Sequence, residues 1–357
     1  MAKILIVRLG AMGDIIHALP AVTGIRAALP DATIGWLVDE KWAELLKARA
    51  KSCAPEAICQ QKPLANLIHT VNLNRWRSAM LHPATVAEFW GMLIAVRAVH
   101  YDFALDFQGA IRSALLTSLS GAAHRAGFTD PRESPARFLY AERFPRPGKH
   151  VIEQNHAFAG LALKDCLDQK QIQLLAPELP HDPAAEAWAE AEIRRLGIAS
   201  FAIMNPGAGW GAKQWPPERY GQVAQALALH NVKTLVNAAP GEEGLARAVL
   251  DASQGNAFAI FCTIGQLIAL TRRARLFIGG DTGPLHLAAA LGIPVVGLFG
   301  PTDPARTGPF GTKAAVLRHE DSKTTFSHHQ QPEEGLLKIT AEETIAAARW
   351  LLGSSHA

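Results

Sequence analysis

Three short stretches hold polar residues where an α/β protein does its chemistry: RLGAMGDIIHALP with Asp14, NPGAGWGAKQWPPERY with Lys213, and FIGGDTGPLHLAAALG with Asp281. Each follows an apolar run and leads into a helical one, so each stands on a strand-to-helix turn. Asp14 offers a carboxylate that could take a proton as general base. It could equally cap the free N–H groups of the helix it begins. Lys213 ends a loop carrying Gly207, Gly209 and Gly211, which suits neutralisation of a leaving diphosphate. No GK[ST] follows, so this is not a Walker A loop. Asp281, Thr282 and Gly283 open a helix whose amides and hydroxyl suit a diphosphate. Asp281 itself would repel phosphate and is better suited to sugar hydroxyls, and His286, one turn on, could reach the same edge. Helix capping and a structural histidine are the plainer alternatives. In NAAPGEEG, Glu242 or Glu243 could hold both ribose hydroxyls, or simply favour the positive end of a helix dipole.

Other chemistries lack their signatures. A dinucleotide fold needs GxGxxG, and the first turn holds only Gly10 and Gly13. No HExxH occurs, no paired DxD follows a strand, and His328 and His329 fall in a polar loop, so no metal site and no resident cofactor are expected. Charge stabilisation then rests on Lys213 and helix amides.

These turns need strands and helices to carry them. KILIV, TIGWLV, FALDF and HRAGF alternate with helical stretches in the first half, and FAIMNPG, VKTLVNA, LFIGG and IPVVGLFG do so in the second. That alternation predicts two parallel, doubly wound α/β domains, which 357 residues can fill. We expect domains over 1–175 and 176–335, with a terminal helix over 336–357 packing back on the first domain and begun by a Thr340/Glu343 capping box. Ligands of such sheets bind at the carboxyl ends of the strands, and two edges facing each other would form a cleft.

Composition narrows the class further. Cys53, Cys59, Cys166 and Cys262 show no CxxC spacing, so reduced thiols in a cytoplasmic protein are expected. The sequence opens directly on a core strand, so secretion is not expected. Thr282 to Thr302 lacks Asp, Glu, Lys and Arg, but four glycines and three prolines break it, which argues against a membrane span. The net charge is only +3, yet Lys62 to Lys149 holds eleven Lys and Arg against six Asp and Glu. NRWRSAM lies within that excess, which points to an anionic partner, and no nucleic-acid module accompanies it.

Taken together, ILIVRLGAMGDIIHALPA, NRWR, DFQGAIRSA, PRES, KHVIEQNHA, AKQWP, APGEE, GGDTGPLHLAAAL and GPTDP resemble, in order and spacing, the ADP-heptose:lipopolysaccharide heptosyltransferases, most closely their heptosyltransferase I branch. The resemblance spans nearly the whole chain. It implies a GT-B fold of two Rossmann-like domains facing across a cleft, and inverting transfer of L-glycero-D-manno-heptose from ADP-heptose to the Kdo of Kdo2-lipid A. The work would be done at the inner face of the inner membrane. By resemblance, Asp14 matches the catalytic base, Lys213 the diphosphate-contacting lysine and Glu242 the ribose-binding acid. Gly13, Asp281, Thr282, Gly283 and His286 join the donor site, while Arg75, Arg77 and Arg132 match acceptor-binding basic positions. The chain departs from the heptosyltransferase I pattern at Ala208 and Gly209, where two threonines are usual, and at Asn74 and Ser78, where basic residues often flank the RWR core. A related enzyme for another nucleotide sugar, or a polyanion-binding protein without turnover, are the competing readings.

Overall fold

The computed structural model describes residues 1–47, 63–79, 81–167, 171–325 and 331–353. Cys53, Cys59, His328 and His329 therefore lie outside the described residues. The chain divides into two units, Met1–Pro180 and His181–Ala357. The division falls five residues beyond the expected 175/176 boundary, because the segment before it is bound to the first unit. His156 Nε2 lies 2.8 Å from the Ile172 carbonyl, and the Glu178 N–H donates to Thr23 Oγ1 at 3.3 Å.

The first unit is a six-stranded parallel sheet of β1 (Lys3–Val7), β2 (Thr33–Asp39), β3 (Leu67–Val71), β4 (Phe103–Asp106), β5 (His124–Phe128) and β6 (Glu142–Phe144), in the order β3-β2-β1-β4-β5-β6. Its helices are α1 (Met12–Ala28), α2 (Leu73–Ser78), α3 (Pro83–Ala98), α4 (Ile111–Leu119) and α5 (Val151–Ala162). The order reverses between β1 and β4. Right-handed crossovers then send the helices on either side of that point to opposite faces. Leu5 and Val7 pack on one face with Leu73 and Trp76 of α2, Val96 of α3 and Leu116 of α4. Ile4 and Ile6, fully buried as well, point the other way by strand alternation.

The second unit repeats the design with β7 (Phe201–Asn205), β8 (Lys233–Asn237), β9 (Ala257–Ile260), β10 (Leu276–Gly280), β11 (Val295–Phe299) and β12 (Ala314–Arg318), ordered β12-β11-β10-β7-β8-β9. Its reversal lies between β7 and β10. The helices are α6 (Pro183–Leu196), α7 (Pro217–Ala228), α8 (Glu243–Ala252), α9 (Ile264–Thr271), α10 (Gly283–Ala290), α11 (Pro304–Thr307), α12 (Glu334–Lys338) and α13 (Ala341–Gly353). One face of the sheet carries α7, α8 and α13, and the other carries α6, α9 and α10.

The terminal helix corrects an expectation. Instead of returning to the first domain, α13 packs on α7 and on β10, β11 and β12, with Ala348 and Leu351 fully buried. Those side chains complete a core that α7 and α8 leave open over the β10–β12 half of the sheet. Its capping box forms as read: Thr340 N–H donates to Glu343 at 2.7 Å, and Glu343 N–H to Thr340 Oγ1 at 3.2 Å.

Candidate functional site

In the second unit the loops after β7 and β10 flank the point where strand order reverses, the position at which doubly wound sheets take ligands. Lys213 comes from the first loop and Asp281 from the second. Lys213 Nζ donates to Asp281 Oδ2 at 2.7 Å and to the Asp281 carbonyl at 3.1 Å, while lying 4.8 Å from the centre of the Trp210 ring. His286 Nε2 lies 2.9 Å from Asp281 Oδ1. A buried carboxylate is thus held between a lysine and a histidine. Burial alone would push the Asp281 carboxyl up. The hydrogen bond and charge of His286, followed by those of Lys213, outweigh it and hold the group well below the usual carboxylate range. Both Asp281 oxygens are thus engaged within the protein, and its side chain is 7% exposed.

Thr282 is the N-cap residue of α10, but its hydroxyl turns back to the Gly280 carbonyl at 3.3 Å instead of capping the helix. Gly283 begins the helix, with Pro284 in its first turn. Glu242 stands at the start of α8 and accepts the Ala239 N–H at 2.9 Å. Its carboxylate also lies against Gly207: a Cβ there would come within 2.2 Å of it. Glycine at 207 is therefore required for the β7 loop and Glu242 to meet. The side-chain amides of Asn205 and Asn237 brace the same strand ends, Asn237 Nδ2 donating to Asn205 Oδ1 at 2.6 Å and Asn205 Nδ2 to the Gly207 carbonyl at 2.7 Å. Sequence reading passed over both asparagines, although each closes a buried strand with a polar residue. Glu243, the other acid of that pair, is exposed and accepts the Gly241 N–H at 3.0 Å.

In the first unit the reversal lies between β1 and β4, and the loops after these strands are joined by Arg8 and Gln108. Arg8 Nη1 donates to the Phe107 carbonyl at 2.6 Å, and the Leu9 N–H to Gln108 Oε1 at 2.9 Å. Asp14 sits in the first turn of α1, its Oδ2 2.7 Å from Arg8 Nη2 and accepting the Ala11 N–H at 3.2 Å. The capping geometry is real, and with 37% of its side chain exposed the carboxylate also remains open to a partner. Gly13 is buried in the same turn, in the first unit, whereas the other expected donor residues belong to the second.

The expected acceptor arginines separate. Arg77 and Arg132 line one cavity of about 510 Å³ together with Arg112, Glu133, Ala110, Ile111 and Leu115. Arg75, two positions along α2 from Arg77, is instead paired with Glu88 of α3 at 2.9 Å. The cavity is positioned by Asp106 at the end of β4. This fully buried carboxylate accepts the Gln108 and Gly109 N–H groups and the hydroxyls of Ser113 and Tyr140, at 2.7 to 3.1 Å. Burial nevertheless pushes its carboxyl up. Gly109 has φ +69 and a Cβ there would sit 3.0 Å from the Arg132 N. That close approach lets Glu133 accept the Ile111 N–H at 2.8 Å and draws Arg132 toward α4. Among the described residues no cluster of His, Cys, Asp and Glu could hold a metal ion.

The sequence pattern of glycosyltransferase family 9 (heptosyltransferase) matches residues 90–337. The chain belongs to glycosyltransferase family 9. It is 28% identical over 355 residues to lipopolysaccharide heptosyltransferase 1 of Escherichia coli K12, covering 96% of this chain and 98% of that one. It is 27% identical over 327 residues to lipopolysaccharide heptosyltransferase 1 of Pseudomonas aeruginosa, covering 88% and 83%. Among solved structures, E. coli heptosyltransferase WaaC with ADP-2-deoxy-2-fluoro heptose superposes with a TM-score of 0.73 at 23% identity, over 98% of this chain and 99% of that one. The GT-B fold is shared.

Within this family 9 chain, Arg112 is a further residue that sequence reading passed over, and it lines the arginine cavity. It lies in DFQGAIRSA, directly after a strand that borders the reversal point, and that position was the available signal. The geometry sets a test. Arg77→Ala and Arg132→Ala should each raise acceptor KM about tenfold or more, the worth of a charged hydrogen bond, whereas Arg75→Ala should leave it within about twofold. A larger effect at Arg75 than at Arg77 in steady-state titrations of acceptor would reverse the assignment.

Proposed function

We propose that this family 9 protein transfers L-glycero-D-manno-heptose from ADP-heptose to the Kdo of Kdo2-lipid A in a single inverting displacement, as a peripheral protein at the inner face of the inner membrane. The observation that carries the donor half is the meeting of Lys213 with the Asp281–Gly283 turn at the strand reversal of the second unit. A diphosphate there finds an ammonium and the N-terminal amides of α10, which stabilise the charge that grows on departing ADP. With positive charge already supplied, the reaction needs no metal. Glu242 takes the ribose hydroxyls. Asp14 accepts the proton of the attacking acceptor hydroxyl, and the arginine cavity holds the acidic groups around it. Relatives named lipopolysaccharide heptosyltransferase 1 support heptose transfer to a lipopolysaccharide acceptor.

The deciding experiment measures nucleotide release from a panel of nucleotide sugars, with Kdo2-lipid A, with an already heptosylated acceptor, and with none. Release of ADP from ADP-heptose that depends on Kdo2-lipid A is expected. Turnover of another nucleotide sugar, or preference for the heptosylated acceptor, would move the enzyme elsewhere in the family. Binding of acceptor with no turnover of any donor would identify a non-catalytic protein.

A further inference from the structure

Helix α3 has an outer face that its sequence makes unusual. Its inner side is ordinary: Leu93 and Val96 are buried, and Phe89 and Met92 pack on the sheet. On the outer side Val86, Trp90 and Ile94 recur at every fourth residue, forming one stripe, with exposed Ala87, Gly91 and Ala95 beside it. Trp90 is 53% exposed and Ile94 64%, and Leu81, just before the helix, is 91% exposed. The only charged residues of α3 are Glu88, which is paired with Arg75, and Arg97 at its last turn. A helix that is apolar around its whole circumference belongs inside a protein or against lipid. This one lies on the surface of its unit.

With Glu88 neutralised by Arg75, the helices next to α3 add mainly basic residues. Helix α2 is tied alongside α3 by the Arg75–Glu88 pair and by the Trp76–Phe89 contact, with ring centres 5.3 Å apart, and it carries Arg77. At the other end, Arg97 Nε donates to the Leu119 carbonyl of α4, the helix that exposes Ile111, Leu115 and Arg112. A second copy packed face to face across a two-fold axis would set Arg97 and its neighbours against their own kind with no acid on the stripe to meet them. An anionic lipid surface answers both features, taking the stripe among its acyl chains and the arginines at its headgroups.

We propose that the outer face of α3, with Trp90 and Ile94 as its anchors and Arg77, Arg97 and Arg112 around them, docks this protein on an anionic bilayer. The inference rests on the proposed lipid-linked acceptor for its purpose and on the α3 surface for its substance. The test is flotation of the full chain with vesicles of phosphatidylcholine alone and with phosphatidylglycerol added, both free of lipopolysaccharide, for the native protein and for Trp90→Ser with Ile94→Ser. The native chain is expected to float with the anionic vesicles, less so at high salt. The double variant should lose about tenfold or more in partitioning, since two large apolar side chains no longer enter the lipid, while keeping its turnover on detergent-dispersed acceptor.

Native protein that stays off anionic vesicles, or a double variant that floats as well as the native chain, overturns the proposal. Equal binding to neutral vesicles overturns the role of the arginines. A concentration-dependent dimer that the double substitution dissolves, without vesicle binding, would assign the stripe to self-association instead. Vesicle binding without any heptose transfer would leave the docking face standing and remove the proposed function. Transfer without vesicle binding would do the reverse.

Discussion

Asp14→Asn is expected to lower turnover by about 10²-fold or more while leaving the fold nearly as stable as before. Loss of a general base accounts for the first effect. The second follows from what asparagine keeps. Its amide oxygen still accepts the Ala11 N–H, and only the ion pair to Arg8 is lost. That pair involves a carboxylate more than a third exposed, so solvent screening limits its worth to about 1 kcal/mol or less. Turnover at saturating donor and acceptor, read beside urea denaturation, therefore separates the two roles of Asp14. Near-normal turnover would leave it a helix cap and a partner for Arg8. A large loss of stability with proportionate loss of activity would mean that the pair holds the β1 and β4 loops together.

The second large effect is expected at Asp281. Asp281→Ala removes the carboxylate from between Lys213 and His286, leaving a mostly buried ammonium without its counter-charge. Breaking a buried pair on one side costs about 3–5 kcal/mol, and donor use should fall with it. Asp281→Asn, which retains hydrogen-bonding atoms, should cost less. The dependence on pH has a definite sign. A carboxyl held below its unfolded-state value contributes stability that is fully present above about pH 4 and disappears as the pH drops beneath that value. The stability gap between the native chain and Asp281→Asn should thus shrink as the pH falls below about 4. Denaturation curves at pH 7 and pH 3 check it, and a gap that widened in acid would contradict the ion-pair geometry.

Much of the architecture was legible because the central strands are buried on both faces. β1, β2, β4 and β5, then β7, β8, β10 and β11, were legible as strands, most of them from apolar runs. The strands that went unread, β3, β6, β9 and β12, are the four edges of the two sheets. An edge strand is covered less completely: Leu67–Val71 is exposed or half-buried at every position but Val71, and Ala314–Arg318 mixes exposed with half-buried positions. The site divides in the same way. Lys213, Asp281 and Glu242 were visible as polar residues on turns. That Lys213 and Asp281 pair directly was not, because 68 residues separate them and only the β7–β10 pairing brings their loops together. The division of Arg75 from Arg77 was hidden until the helix carrying them had a register and Glu88 a position. The terminal helix misled for a related reason: its apolar face announces that it packs, without saying on which core.

The partnership of Lys213 with Asp281 also bears on how a catalytic cycle would close. An anion that arrives at this lysine does not meet an idle cation; it displaces an internal carboxylate that is itself strongly held. The net gain from binding is the difference between two ion pairs, which keeps affinity for any single diphosphate moderate. If, as proposed, a nucleotide diphosphate binds at Lys213, Asp281 is at hand to reclaim the ammonium as it leaves. A built-in competitor of this kind favours rapid exchange of product over tight retention.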